Sequence, residues 1–202
     1  MKLYFSPGAC SLSPHIVANE IGLPIVLERV DTKTKQTAGG ADFLAVNPKG
    51  YVPALELDNG EVLTEGPAIV QYLADLKPES GIAPENGTLA RYRLQEMLGY
   101  INSELHKSYS PLFDPTSSAE VRADREAYLR KRYALIEAML ATQPFLLGES
   151  FSAADAYLFV VTNWAMVVKL DLSGFPKLIE FQKRVVERPA VQDALRSEGL
   201  IK

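Results

Sequence analysis

The chain has 202 residues and is 47% hydrophobic, enough for one large domain or two small ones around an ordinary buried core. Its net charge of −4 is uneven: residues 1–80 carry 6 cationic against 10 anionic side chains and the remainder 15 of each, so neither part has the basic excess of a nucleic-acid binder. A single cysteine excludes an internal disulfide and suits a reducing compartment such as the cytosol. No signal peptide is expected, because the apolar start Met1–Phe5 is short and Pro7-Gly8 ends it. The longest apolar run, near Ala156–Val168, is shorter than the ~20 residues that span a bilayer, and Thr162 and Asn163 interrupt it. It reads as a buried helix.

In chain order, Lys2–Phe5 predicts a strand and Ser11–Glu20 a helix, stopped by Gly22 with Pro24 behind it. Ile25–Val30 predicts a second strand, and short links around the helix imply a right-handed parallel βαβ unit. Residues 31–50 are polar and rich in Thr, Lys and Gly, a loop with one short helix around Ala41–Val46. Val52–Leu57 and Glu61–Thr64 flank Asp58-Asn59-Gly60, a hairpin signal. Glu65-Gly66-Pro67 then opens a helix to about Leu76. The hairpin adds antiparallel strands to the parallel pair, giving a mixed four-stranded sheet with helices on both faces, the thioredoxin-like arrangement. The Pro- and Gly-rich stretch 77–87 predicts a boundary between a domain at 1–80 and a second at 88–202.

The second domain reads as an all-helical bundle. Leu94, Met97, Leu98, Ile101 and Leu105 share one helical face, and Leu129, Leu135, Ile136, Met139 and Leu140 another. Ser152-Ala153-Ala154-Asp155 fits a capping box opening the most apolar helix. Two more helices are expected around Lys177–Glu187 and Pro189–Leu195.

Cys10 sits at the mouth of the first helix. Unpaired N–H groups and the positive end of the dipole favour a thiolate there, so sulfur chemistry is the first hypothesis. The other polar residues have bland readings when taken alone. Pro53 would be a trans proline at a strand edge, Glu65 an acid serving the helix dipole, Lys35 a solvated loop lysine with Lys33 as rival, and His15 and His106 structural histidines. Two separated histidines and one cysteine have no metal-ligand spacing, and no metal is expected.

Together the motifs carry more. Phe5-Ser6-Pro7-Gly8-Ala9-Cys10-Ser11, Val46-Asn47-Pro48-Lys49-Gly50-Tyr51-Val52-Pro53, Leu63-Thr64-Glu65-Gly66-Pro67, Ser103-Glu104-Leu105-His106-Lys107 and Ser152–Tyr157 resemble the glutathione S-transferases, in their bacterial beta class, over essentially the whole length. The resemblance implies the glutathione transferase fold and a cytoplasmic homodimer. Glutathione is its co-substrate and a hydrophobic electrophile its second substrate. It also implies a turn with cis Pro53, where the Val52 backbone pairs with the cysteinyl part of glutathione like an added strand. Glu65 would hold the γ-glutamyl amine, and the Gly66 N–H, at a helix start, the γ-glutamyl carboxylate. Relatives often carry serine at position 66, so the missing hydroxyl implies binding weaker by about 0.5–1.5 kcal/mol.

Lys35 would pair with the glycyl carboxylate, while Ser103, Glu104 and Lys107 help enclose glutathione. His106 would lie close to its sulfur. Gly99 stands where relatives often have a contacting asparagine. Tyr109, Phe113 and Trp164 are candidates for the second-substrate pocket, Trp164 being equally readable as core. Two roles are open to Cys10: hydrogen-bonding the glutathione sulfur, or forming a mixed disulfide with it. The second would favour thiol transfer or peroxide reduction over detoxifying conjugation; dehalogenation is a further side activity that the resemblance implies. A non-catalytic ligand carrier or stress-response partner of the same fold is the alternative, with neither nucleic acid nor membrane expected as a partner.

Overall fold

The structure, a computed structural model, describes residues 1–202. In chain order the elements are β1 (Lys2–Phe5), α1 (Leu12–Glu20), β2 (Val26–Asp31), β3 (Gln36–Thr37), β4 (Ala54–Glu56), β5 (Val62–Thr64), α2 (Gly66–Asp75), α3 (Leu89–Tyr100), α4 (Ser110–Phe113), α5 (Ala119–Leu140), α6 (Ala153–Val168), α7 (Pro176–Val186) and α8 (Pro189–Ser197). They form two compact units, residues 1–83 with 187–202, and residues 84–186.

The first unit is the thioredoxin-like one. Its sheet has the order β3-β2-β1-β4-β5, with β1 and β2 parallel and every other pair antiparallel. The expected sheet had four strands; the fifth is β3, which pairs Val30 with Thr37 and Asp31 with Gln36. Lys35 takes a left-handed conformation (φ 59°) and folds the polar loop back on β2. Two polar residues without alternation give no strand signal of their own. On one sheet face Tyr4, Val30, Phe43, Val52 and Ala54 form a buried cluster, with Phe43 supplied by a single 3-10 turn at Phe43–Ala45. Leu3 and Phe5 alternate with Tyr4 and so belong to the other face.

Helix α8 packs on α1. The Arg188 guanidinium holds the Glu20 carboxylate at 2.6 and 2.8 Å. Glu198 accepts from the Gly8 N–H at 2.9 Å and meets His15 Nδ1 at 3.0 Å, in a buried pair that gives His15 its structural role.

In the helical unit, Thr88 caps α3 through Arg91 N–H (3.2 Å) and Ser118 caps α5 through Val121 N–H (3.2 Å). The capping box of α6 is present. Asp155 accepts from Ser152 N–H (2.8 Å), Ser152 Oγ (2.5 Å) and Leu146 N–H (2.8 Å). Burial pushes its carboxyl up to about 6 against those bonds. Ile101 and Leu105 are buried as their period predicts, but the backbone changes there from α3 to a π turn (Ile101–Leu105) and then a 3-10 turn (His106–Tyr109). Leu135, counted on the apolar face of its helix, is instead exposed. No helix is long and apolar enough to cross a membrane.

Candidate active site

In the thioredoxin-like unit two loops converge. The turn after β1 places Cys10 immediately before the N-cap of α1, where its carbonyl accepts from the Ser13 N–H (3.1 Å) and the Ser13 hydroxyl (2.7 Å). Its half-buried thiol donates to the Val52 carbonyl at 3.3 Å. The Val52–Pro53 peptide bond is cis, and the Val52 N–H has no acceptor within the protein. One buried residue therefore presents both a backbone donor and a backbone acceptor beside a thiol.

Glu65 caps α2 at φ 71°, a conformation that L-residues rarely adopt and that costs on the order of 1–3 kcal/mol. Its exposed Oε1 accepts from Lys49 Nζ at 2.6 Å and Tyr51 Oη at 2.9 Å, and Lys49 also reaches Thr64 Oγ1 at 2.9 Å. The bond to Glu65 raises both Lys49 and Tyr51 above their ordinary values. Gly66 starts α2, and a Cβ there would meet only Pro53 Cγ, at 3.9 Å. Lys35 donates to the Gly50 carbonyl at 2.6 Å, which ties the β2–β3 turn to the turn preceding Val52. Lys33 is exposed.

In the helical unit, His106 Nδ1 lies 2.5 Å from the Tyr157 hydroxyl, which itself donates to Asn102 Oδ1 at 3.0 Å. Trp164 stands edge-on to the His106 ring with centroids 4.7 Å apart, and also contacts Tyr109 (5.7 Å) and Phe113 (5.6 Å). His106, Tyr109, Phe113 and Trp164 thus form one aromatic cluster, in which Phe113 is exposed and Tyr109 buried. The Tyr109 hydroxyl is bonded to Tyr133 at 2.9 Å. Burial raises both phenols, Tyr133 to about 12, so neither exchanges a proton at neutral pH.

The neighbouring predicted residues are spread differently. Ser103 Oγ donates to the Gly99 carbonyl (3.0 Å). Glu104 turns toward α5, accepting from Tyr128 Oη (2.6 Å) and pairing with Arg132 Nε (2.8 Å). Lys107 is exposed. Lys49, Tyr51, Asn102 and Tyr157 are not among the residues the sequence singles out. The first two lie inside the segment ending in Val52-Pro53 and Tyr157 ends the capping-box motif, which is the signal that points to them.

Comparison with known proteins defines the class. The glutathione S-transferase N-terminal domain model matches residues 8–76 and the C-terminal domain model residues 97–189. Over 200 residues the chain is 46% identical to glutathione S-transferase GstA of Escherichia coli O157:H7, covering 99% of this chain and 100% of that one. A ternary complex of BphK, a bacterial GST, superposes with a TM-score of 0.97 at 55% identity, covering 98% of this chain and 100% of the other. A sphingomonad glutathione S-transferase complexed with glutathione and the bacterial beta-class glutathione S-transferase of Sphingomonas chungbukensis each give a TM-score of 0.96 at 45% identity over 100% of both chains. The chain belongs to the glutathione S-transferase family, in its bacterial beta class.

Proposed function

We propose that the protein conjugates glutathione, as its thiolate, to hydrophobic electrophiles, with Cys10 as hydrogen-bond donor to the glutathione sulfur and His106 as its proton acceptor. Family membership makes it a glutathione transferase; the roles of individual residues are our reading. The observation that carries it is the Cys10 thiol donating to the Val52 carbonyl beside cis Pro53. An extended peptide that pairs with the Val52 N–H and C=O as an added strand brings its own side chain to that thiol.

The same geometry favours the donor role of Cys10 over the mixed disulfide. A thiol that donates is protonated, and a thiolate on glutathione is a better acceptor than a carbonyl. Glu65 offers its carboxylate to the γ-glutamyl amine, and the Gly66 N–H its donor to the γ-glutamyl carboxylate. Lys35 serves the glycyl carboxylate, while Ser103, Glu104 and Lys107 contribute to the glutathione side of the helical unit. His106 takes the proton from the glutathione thiol. The thiolate then attacks the electrophilic carbon, the C–S bond forms, and a halide leaves or a Michael adduct is protonated. Phe113 supplies exposed apolar surface for that electrophile, backed by Trp164 and the buried Tyr109, a reading supported by their clustering with His106.

The protein works as a cytosolic homodimer. The single cysteine supports the compartment, and exposed Leu89, Tyr92 and Leu135 on α3 and α5 support a subunit interface. The test is Cys10→Ala and Cys10→Ser assayed separately for conjugation of an activated aryl halide and for disulfide exchange with glutathione. Loss of a donor to a charged sulfur lowers conjugation by roughly ten- to hundredfold. Unchanged rates in both assays would overturn the assignment of Cys10. Retention on immobilised glutathione with no turnover of any electrophile would favour the ligand carrier.

A further inference from the structure

The environment of His106 fixes more than its position. A tyrosine hydroxyl has one hydrogen, and Tyr157 gives it to Asn102 Oδ1, a group with lone pairs only. The same oxygen lies 2.5 Å from His106 Nδ1. With its hydrogen already directed to Asn102, the hydroxyl receives at Nδ1, and the hydrogen of that bond belongs to the ring. In a neutral imidazole the other nitrogen, Nε2, then carries the lone pair. Tyr157 is buried, and the Trp164 and Tyr157 rings stand edge-on to the imidazole at 4.7 and 5.9 Å, which holds the plane in which that lone pair lies. Asn102 comes from the π turn and His106 from the 3-10 turn that follows it, and both close on a hydroxyl presented by α6.

We propose that Tyr157 and Asn102 are positioning residues that hold His106 as the Nδ1–H tautomer, so that Nε2 is the atom that accepts the glutathione thiol proton. The catalytic consequence rests on the reading of His106 given above; the tautomer does not. In the step the S–H bond breaks and the proton moves to Nε2, leaving a thiolate and an imidazolium. Nδ1 donates to Tyr157 before and after, so no hydrogen bond of the relay turns over as the charge forms. Preorganisation of this kind leaves no reorganisation for the moment of reaction.

The experiment is long-range 1H–15N NMR on the full chain labelled at histidine, at a pH where the imidazoles are neutral. Only His15 and His106 contribute, and His106→Gln assigns the second. The expected spectrum has Nδ1 protonated and Nε2 bare. Asn102→Leu removes the acceptor, frees the Tyr157 hydrogen for Nδ1, and reverses the tautomer. Tyr157→Phe leaves the ring in mixed tautomers. Both variants lower kcat for conjugation by roughly ten- to hundredfold, part of the 10²–10⁴ that a positioned acid–base group contributes, with KM for glutathione within about twofold. An Nε2–H ring in the unaltered protein, or unchanged spectra in both variants, would overturn the proposal. The expected spectra together with full activity in His106→Gln would support the tautomer and overturn the role of His106 at the sulfur.

Discussion

The thioredoxin-like unit holds its candidate groups on turns, whereas the helical unit holds His106 inside an aromatic packing. Val52 offers backbone, Glu65 is an exposed side chain on a residue at positive φ, and Lys35 and Lys49 lie in loops. His106, by contrast, touches Trp164 and Tyr157, which belong to a helix whose first turn is pinned by buried Asp155. Recognition of a small ionic peptide needs a few charges near water and some open backbone. Steering a proton needs a ring that does not rotate. Substitutions in the first unit should therefore move affinity with little change in stability, and substitutions in the second should move stability or turnover.

The largest effect is expected at Asp155. Asp155→Ala strands the buried N–H groups of Ser152 and Leu146 and removes the cap of α6, a loss of about 2–4 kcal/mol, read as a lowered urea midpoint. The pH dependence has a definite sign. The folded carboxyl titrates near 6 rather than 3.8, so the folded state keeps its proton where the unfolded chain has lost it. Stability from this group is thus greatest in acid and falls as pH rises from about 4 to 6, by about 3 kcal/mol. Asp155→Asn removes that slope, and urea titrations at several pH values compare the two. In the other unit, Glu65→Ala raises KM for glutathione roughly ten- to hundredfold through a lost charge-assisted bond, with the unfolding free energy from urea titration changed by under about 0.5 kcal/mol. A large loss of stability in Glu65→Ala, or none in Asp155→Ala, breaks the contrast between the units.

The contrast also explains what was legible in the sequence. Asp58-Asn59-Gly60 announced the β4–β5 hairpin, Ser152 and Asp155 the start of α6, and Cys10 its place before α1, because each signal lies within a few residues of its effect. The strand β3 was not legible, since it depends on the left-handed turn at Lys35 and not on its own two residues. The π turn was hidden because Ile101 and Leu105 keep a four-residue spacing in either kind of helix. Glu104 is expected by resemblance to help enclose glutathione, yet it meets Tyr128 and Arg132, partners 24 and 28 positions away that no local pattern announces. The His106–Tyr157–Asn102 relay was missed for the same reason, with histidine and tyrosine 51 positions apart.

Two glycines sharpen the comparison with smaller effects. Gly66→Ser adds a hydroxyl at the first residue of α2. The backbone there needs no positive φ and the new Cβ meets Pro53 only at van der Waals distance, so the substitution should tighten glutathione binding about two- to tenfold, read by calorimetry. Gly99→Ala belongs to the other unit. A Cβ at position 99 meets nothing within 4 Å, and alanine restricts the unfolded chain, so α3 should gain about 0.5–1 kcal/mol, read from the urea midpoint. The Gly99 carbonyl accepts from Ser103 within the π turn that carries Asn102 to the relay. If Gly99→Ala raised the midpoint but lowered kcat, the flexibility of that residue would be part of how His106 is set. An unchanged kcat would mean that the π turn is set independently of the flexibility of Gly99.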